Sequence, residues 1–407
     1  MSTSPALPVG IDDVRAAREL LTGISRETPL QGLRGLSDAV GGPVLLKCEN
    51  LQRTGSFKIR GAYVRIARLS DDERANGVVA ASAGNHAQGV ALAASLLGCT
   101  STVFMPESAP LPKVAATKAY GAHVRHAGHT VDEALLAAHA FAAETGAVLI
   151  HPFDHVDVVA GQGTVGLEIV EQCPDVRTVV VCTGGGGLVA GIAVAMKALL
   201  PDVRVVAAQA AGAASYGPSL ALGSPVALDT MSTMADGIAV GCPGDVPFAI
   251  VRELVDRVVT VDEEALSRAL LLALERAKLV VEPAGAAGLA AVMADPTAFE
   301  PPVVVVLSGG NIDPLLLTKV VRHGLVAAGR FLSLQVRIPD RPGELARLLG
   351  VLGDSGVNVL DVEHSRTGQG LHVDEVEVSL QLETRGREHA AAVLEHLAAA
   401  SYAVDVD

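Results

Sequence analysis

The 407-residue sequence has no tryptophan, and phenylalanine and tyrosine supply only 3% of it. A core built on aromatic stacking is excluded. Half of the residues are apolar, so the interior must be alanine, valine and leucine packed closely. No block of lysine and arginine occurs and the net charge is −14, which argues against nucleic acid or an anionic membrane as the main partner. No uninterrupted apolar stretch reaches the length of a membrane span; "TVVVCTGGGGLVAGIAVAM" comes nearest and is broken by four glycines. The five cysteines, Cys48, Cys99, Cys173, Cys182 and Cys242, are scattered, with no CxxC and no histidine at zinc spacing. They are expected to be reduced and mostly buried. The amino terminus, MSTSPALPVGIDD, lacks a basic region and an apolar run, so no secretion signal is expected. Together these absences predict a soluble cytoplasmic protein.

What is present is a regular alternation. From about Pro43 to Leu307 the runs "PVLLKCE", "GVVAAS", "STVFM", "AVLI", "TVVVC", "VRVVAAQ", "RVVTV" and "PVVVVL" are predicted strands. Helical segments such as "AGNHAQGVALAASLLG" and "TVDEALLAAHAFAAETG" separate them, each opening near a small polar residue or glycine and closing on glycine. This predicts α/β units with mainly parallel sheets covered on both faces. After about Ala328 the pattern changes to half-exposed strands ("FLSLQVRIPD", "VNVLDVEHSR", "HVDEVEVSLQLE", "YAVDVD") and two amphipathic helices, with a turn at "TGQG". The order βαββαβ describes a small ferredoxin-like sandwich. The domain boundary is placed at residues 328–331.

Four stretches carry candidate chemistry. In "RTGSFKIRGA", Arg53 to Ala62, Lys58 is expected as the second residue of a mostly apolar helix. Two readings stand: a stem snorkelling along apolar surface, or an amine whose burial lowers its pKa and frees a nucleophile. "ASAGNHAQG", Ala81 to Gly89, joins a strand to a helix; it is either a turn capped by Ser82 or Asn85 or a helix terminus suited to an anion. "TGGGGLVAG", Thr183 to Gly191, places four glycines after a strand, which is costly in backbone entropy and lets a phosphate approach bare amides. Leu188-Val189 stand where a P-loop needs Lys-Ser/Thr, and the next strand ends in Gln209 where a dinucleotide site wants an acid, so a single phosphate fits better. In "LSGGN", Leu307 to Asn311, Ser308 either caps a turn or faces a ligand at the strand's carboxyl end.

"SFKIRGA", "SAGNHAQG", "TGGGGL", "VEPAGA" and "LSGGN", in this order, resemble the fold type II pyridoxal-phosphate enzymes, within them the threonine ammonia-lyase (threonine dehydratase)/serine racemase branch. The resemblance covers roughly residues 10–325. It implies a catalytic domain over 1–328 made of two open, mainly parallel-sheet α/β subdomains, the smaller one, roughly 50–153, inserted in the larger. "IPDRPGELARLLGVLGDSGVNVLDVE" resembles the ACT domain, an amino-acid-sensing module, placed at 331–407. Carried over, Lys58 is the Schiff-base lysine and the base that removes the α-proton, with Phe57 beside it. Asn85 contacts the ring's phenolic oxygen, and Ser82, Ala83, Gly84, Asn85 and His86 line the substrate-carboxylate pocket. Gly184, Gly185, Gly186, Gly187 and Leu188 cradle the phosphate of pyridoxal 5'-phosphate. Ser308 faces the pyridine nitrogen, and Glu282 lies near the cofactor.

The implied activity is β-elimination of L-threonine to 2-oxobutanoate and ammonia, with L-serine slower. A serine hydroxyl does not hold the pyridine nitrogen protonated, which favours elimination over transamination. A racemase needs a proton donor on the face opposite the lysine, and Ala83 cannot donate. Phe153 of "HPFDH" offers the threonine methyl an apolar wall. No metal ligand set is assigned, because Asp236 of "TMADG" has Ser232 and Thr233 where a second acid would be expected. An amino-acid effector is expected at Gly343, Glu344 and Asn358, and a homo-oligomer, dimer or tetramer, is implied by the ACT resemblance. The competing possibility is a non-catalytic amino-acid sensor, which the intact Lys58, Asn85, glycine run and Ser308 oppose.

Overall fold

In a computed structural model, described over residues 7–366 and 371–406, the strands in chain order are β1 (Leu30–Gly32), β2 (Val44–Lys47), β3 (Val78–Ala81), β4 (Ser101–Met105), β5 (His123–His126), β6 (Val148–Leu149), β7 (Thr178–Cys182), β8 (Arg204–Ala210), β9 (Arg257–Val261), β10 (Val303–Val306), β11 (Phe331–Pro339), β12 (Asn358–Ser365), β13 (Glu375–Glu383) and β14 (Ala403–Val406). One sheet has the order β1-β2-β10-β7-β8-β9 and is parallel except at its β1 edge. A second, β5-β4-β3-β6, is parallel throughout. Each predicted strand is present. β1 and β5 are additions to the predicted set: one is three residues long, the other is the largely exposed edge sequence HVRH. The predicted turn Thr367–Gly370 and the first six residues lie outside the described residues.

The chain divides into two compact units, Met1–Asp313 and Pro314–Asp407. The helix Pro314–Ala327 therefore counts with the second unit, ahead of the composition break at 328–331. Its Arg322 guanidinium lies over the Phe331 ring, 4.9 Å from the centroid. In the second unit the order β12-β13-β11-β14 is antiparallel, over a core of Leu334, Val336, Leu348, Leu352, Val378, Leu380, Val393 and Leu397. This is the ferredoxin-like arrangement the alternation predicts.

In a chain so poor in aromatic side chains, helices approach through glycine. A Cβ on Gly161, in the helix Val156–Gln172, would lie 2.7 Å from Gly61 Cα in the helix Lys58–Ala67. A Cβ on Gly89 would lie 3.0 Å from the Lys58 carbonyl carbon, so the helix Asn85–Leu96 rests directly on the lysine's backbone. Ile59, Ala62 and Ile66 bury the other side against Val78, Ala80 and Val90. Each fully buried isoleucine contributes about 1.5–3 kcal/mol. The structure starts this helix at Lys58, with Phe57 in the capping position, one residue later than the sequence suggests.

Beneath the helix four charges lie out of water. Arg60 donates to both carboxylate oxygens of Glu49, at 2.9 and 2.8 Å, and its Nη1 reaches Glu168 Oε1 at 2.6 Å. Lys47 Nζ holds Glu168 Oε2 at 2.6 Å. Two cations meet two anions, and breaking such a buried set by removing one charge costs about 3–5 kcal/mol. Glu168→Gln should lower the apparent unfolding temperature by several degrees in a thermal melt, since it leaves the buried Lys47 without a carboxylate and Arg60 with Glu49 alone. An unchanged melt would contradict this account of what seats the helix.

Candidate active site

The turns that follow β3, β6, β7 and β10 converge, as expected where open α/β sheets bind ligands. The segment before Lys58 is tied to the turn after β10: Phe57 N–H donates to the Ser308 carbonyl at 3.1 Å, and Gly310 N–H to the Gly55 carbonyl at 2.9 Å. Thr54 takes φ 61°, a left-handed conformation that costs a β-branched residue about 1–3 kcal/mol. The Thr54 carbonyl accepts from Asn311 Nδ2 at 2.6 Å.

Lys58 Nζ donates to the Pro152 carbonyl at 3.0 Å and lies 5.1 Å from the Phe57 ring centroid. Burial pushes its ammonium down from 10.5 to about 8, with Cys182 and Glu282 pulling the other way. The snorkelling alternative fails, because the amine is turned into the protein. Across the cleft Asn85 Nδ2 donates to Glu282 Oε1 at 2.5 Å, while Asn85 Oδ1 accepts from Asn311 Nδ2 at 2.8 Å. Burial, then Asp236, pushes the Glu282 carboxyl up to about 7; Asn85, Lys113 and Lys58 oppose. Asp236 is itself paired with Lys113 at 2.8 Å. Among the described residues no group of three or more His, Cys, Asp or Glu could hold a metal ion.

Ser82, Ala83, Gly84 and Asn85 are half-buried at the start of the helix Asn85–Leu96, and Gly84 N–H donates to Ser82 Oγ at 3.1 Å. His86 is buried, and burial pushes its imidazole down to about 3, so the ring is neutral and Nε2–H donates to the Ile150 carbonyl at 2.8 Å. Gly184 to Leu188 are buried after β7. Gly186 has φ +96° and caps the helix Gly187–Leu199. A Cβ on Gly184 would stand 2.9 Å from Ile238 Cα, and one on Gly187 3.0 Å from Phe153 Cβ. Only bare backbone fits, and its N–H groups open a helix terminus favourable to an anion. Tyr216 Oη donates to the Gly185 carbonyl at 3.3 Å. Ser308 is buried and hydrogen-bonds the Cys182 thiol, which burial pushes up to about 11.

Residues 21–309 match the family model described as pyridoxal-phosphate dependent enzyme, and residues 332–399 match the ACT domain. The chain belongs to the pyridoxal-phosphate-dependent enzymes. It is 45% identical over 398 residues to an L-threonine ammonia-lyase of Thermotoga maritima, covering 98% of this chain and 99% of that one. It is 48% identical to an L-threonine ammonia-lyase of Geobacter sulfurreducens, covering 97% and 98%. Among solved structures, a threonine deaminase of T.th. superposes with a TM-score of 0.71 at 42% identity, over 75% of this chain and 99% of that one. Maize serine racemase gives 0.73 at 37%, over 78% and 98%. The likeness confirms the fold type II catalytic architecture and the cofactor class. The residues fit that group: a glycine cradle that a Cβ would fill, an amine with a lowered pKa, and a half-buried amide on a buried carboxyl across from it.

Three participants carry no signal in the sequence. Asn311 ends the "LSGGN" run, where only Ser308 suggests a role. The Pro152 carbonyl belongs to "HPFDH", where only Phe153 does. Tyr216 lies in no motif. In the second unit Gly343, φ +93°, caps the helix Glu344–Asp354 and lines a hollow with Ile338, Asp340, Leu345, His364 and Arg366. Glu344 pairs with Arg347, and Asn358 Nδ2 donates to Glu383 Oε2 at 3.3 Å. Neither of these two lines the hollow. Arg366 instead holds Asp340 at 2.9 and 3.1 Å.

The buried amine gives a direct test. In the cofactor-free protein, acylation of Lys58 at graded pH, read by peptide mass, should reach half its maximum near pH 8. The neutral amine reacts, so labelling rises with pH. A midpoint near 10.5, that of a solvent lysine, would refute the burial argument.

Proposed function

We propose that this chain is a threonine ammonia-lyase, converting L-threonine to 2-oxobutanoate and ammonia, slower on L-serine, and regulated by an amino acid at its ACT domain. The observation that carries the reading is Lys58 Nζ, desolvated against the Pro152 carbonyl in the cleft that also holds the Asn85–Glu282 pair. The cofactor, when bound, supplies the electron sink for breaking the Cα–H bond. Lys58 would hold it, with the phosphate on Gly184–Leu188 and Ser308 facing the pyridine nitrogen.

The remaining work falls to side chains. Lys58 Nζ takes the α-proton, which its lowered pKa suits to neutral pH. Residues Ser82 to His86 line the pocket for the substrate carboxylate at the helix terminus. Glu282, near 7, can hold or release a proton at neutral pH, and the Asn85 N–H that it accepts favours its ionised form. A hydroxyl at Ser308, unlike a carboxylate, would not hold the ring nitrogen protonated, which would favour loss of the β-hydroxyl. Ala83 leaves the second face without a donor, which opposes racemisation. Phe153 offers an apolar surface to the threonine methyl, worth about ten- to 200-fold over serine.

Turnover should appear as 2-oxobutanoate formed from L-threonine, measured by a coupled reductase assay, with no D-serine from L-serine by chiral chromatography. Lys58→Ala should fold and lose turnover. A Lys58→Ala protein of near-parent rate would overturn the assignment.

We further propose action in the cytoplasm, in the route to isoleucine, as a homo-oligomer. The exposed Leu360 and Val362 on β12, an edge strand, support pairing between copies. An effector changes activity only if it binds two states with different affinity. Isoleucine should therefore shift the threonine saturation curve. Gly343→Asp, which places a charge in the hollow, should abolish the shift while sparing maximal rate. A curve unmoved by every proteinogenic amino acid would refute regulation and leave the module to assembly.

A further inference from the structure

The segment between β6 and the helix Val156–Gln172 reaches the lysine, and one side chain organises it. His151 Nδ1 accepts the Asp154 N–H at 2.8 Å and the Phe153 N–H at 3.4 Å. Just ahead of those amides sits Pro152, which has no N–H, and its carbonyl receives Lys58 Nζ at 3.0 Å. The imidazole stands edge-on to the Phe153 ring, with centroids 4.7 Å apart and planes at 85°. Phe153 in turn packs on the cradle, where a Cβ on Gly187 would meet its Cβ at 3.0 Å. Asp154 Oδ1 closes the bracket by accepting the Val246 N–H at 2.9 Å.

We propose that His151 is a positioning residue for this reaction, acting through the Pro152 carbonyl on Lys58 and through Phe153 on the phosphate cradle. An acceptor at Nδ1 requires the neutral ring with its proton on Nε2. Burial, with Lys58, His139 and His155 nearby, holds the imidazole below its usual range; Asp154 opposes. The bracket therefore keeps its geometry through neutral pH. A free lysine stem has several rotamers, and a carbonyl fixed 3.0 Å from Nζ selects among them. A misplacement of the base by about 1 Å costs about a hundredfold in rate. The inference rests on the lyase reading and deepens it.

The test compares three proteins carrying pyridoxal phosphate: the parent, His151→Leu, which keeps bulk without an acceptor, and His151→Asn, which restores an acceptor for the amide two residues on. His151→Leu should lower kcat about ten- to a hundredfold with KM for threonine changed less than about threefold. Its primary isotope effect on kcat, with threonine deuterated at Cα, should exceed the parent's, because proton removal becomes the slow step. His151→Asn should recover most of kcat and bring the isotope effect back. Uptake of pyridoxal phosphate by the cofactor-free proteins, followed by visible circular dichroism, should weaken in His151→Leu and not in His151→Asn. If His151→Leu does not fold, His151→Gln, whose acceptor is displaced by one bond, takes its place. Equal behaviour of the two variants, or a reduced kcat with an unchanged isotope effect, overturns the proposal. A parent that turns over no threonine sinks the lyase reading instead, and the uptake comparison, which needs no substrate, then decides for or against His151.

Discussion

Taking the Lys58 ammonium out of water costs solvation free energy, and the protein converts that cost into reactivity. An exposed lysine is almost wholly protonated at neutral pH; burial brings this one down to about 8, so a usable fraction is neutral. Everything around it serves to keep the amine shielded yet aimed. The Pro152 carbonyl orients Nζ, the Phe57 ring shields it, and the helix Asn85–Leu96 lies on its backbone. The same burial raises Glu282 to about 7. The cleft thus holds two groups poised near neutrality, an amine that takes a proton and a carboxyl that accepts the Asn85 N–H.

Such precision needs a rigid seat. With few aromatic side chains, the protein packs helix on helix through glycine pairs such as Gly61 and Gly161, where no side chain separates the backbones. Arg60, two residues beyond the lysine, anchors the helix to Glu49 and Glu168 below. A hydrophobic residue at 60 would also bury well, but it would not specify rotation about the helix axis. Bidentate pairing does.

The α/β plan was legible because its signals are local. Runs such as "PVVVVL" and "TVVVC" are too apolar for anything but buried parallel strands, and four successive glycines have no cheap structural excuse. The glycine cradle stood out for that reason, whereas Lys58 and Ser308 each kept two readings until the family resemblance assigned them. What stayed hidden depends on contacts distant in the chain. His151 and Asn311 matter through a ring nitrogen meeting two amides and through an amide reaching Asn85, and no spacing rule announces either. The Lys47–Glu168–Arg60–Glu49 set was hidden similarly, because charged residues in strands and helices ordinarily face solvent. In the second unit the alternation gave the sandwich correctly, while the hollow beside Gly343 draws on His364 and Arg366 from farther along the chain. Helix Pro314–Ala327 joined that unit although its composition continues the first.

The central claim is that one particular amine holds the cofactor and does the proton work. Borohydride reduction of the purified holoprotein, followed by digestion and mass spectrometry, tests it most directly. The account predicts the pyridoxyl mass on the peptide containing "SFK", at Lys58, and nowhere else. The mass on Lys47, Lys113 or any other lysine, or no modified peptide from a protein that has taken up pyridoxal phosphate, would contradict it.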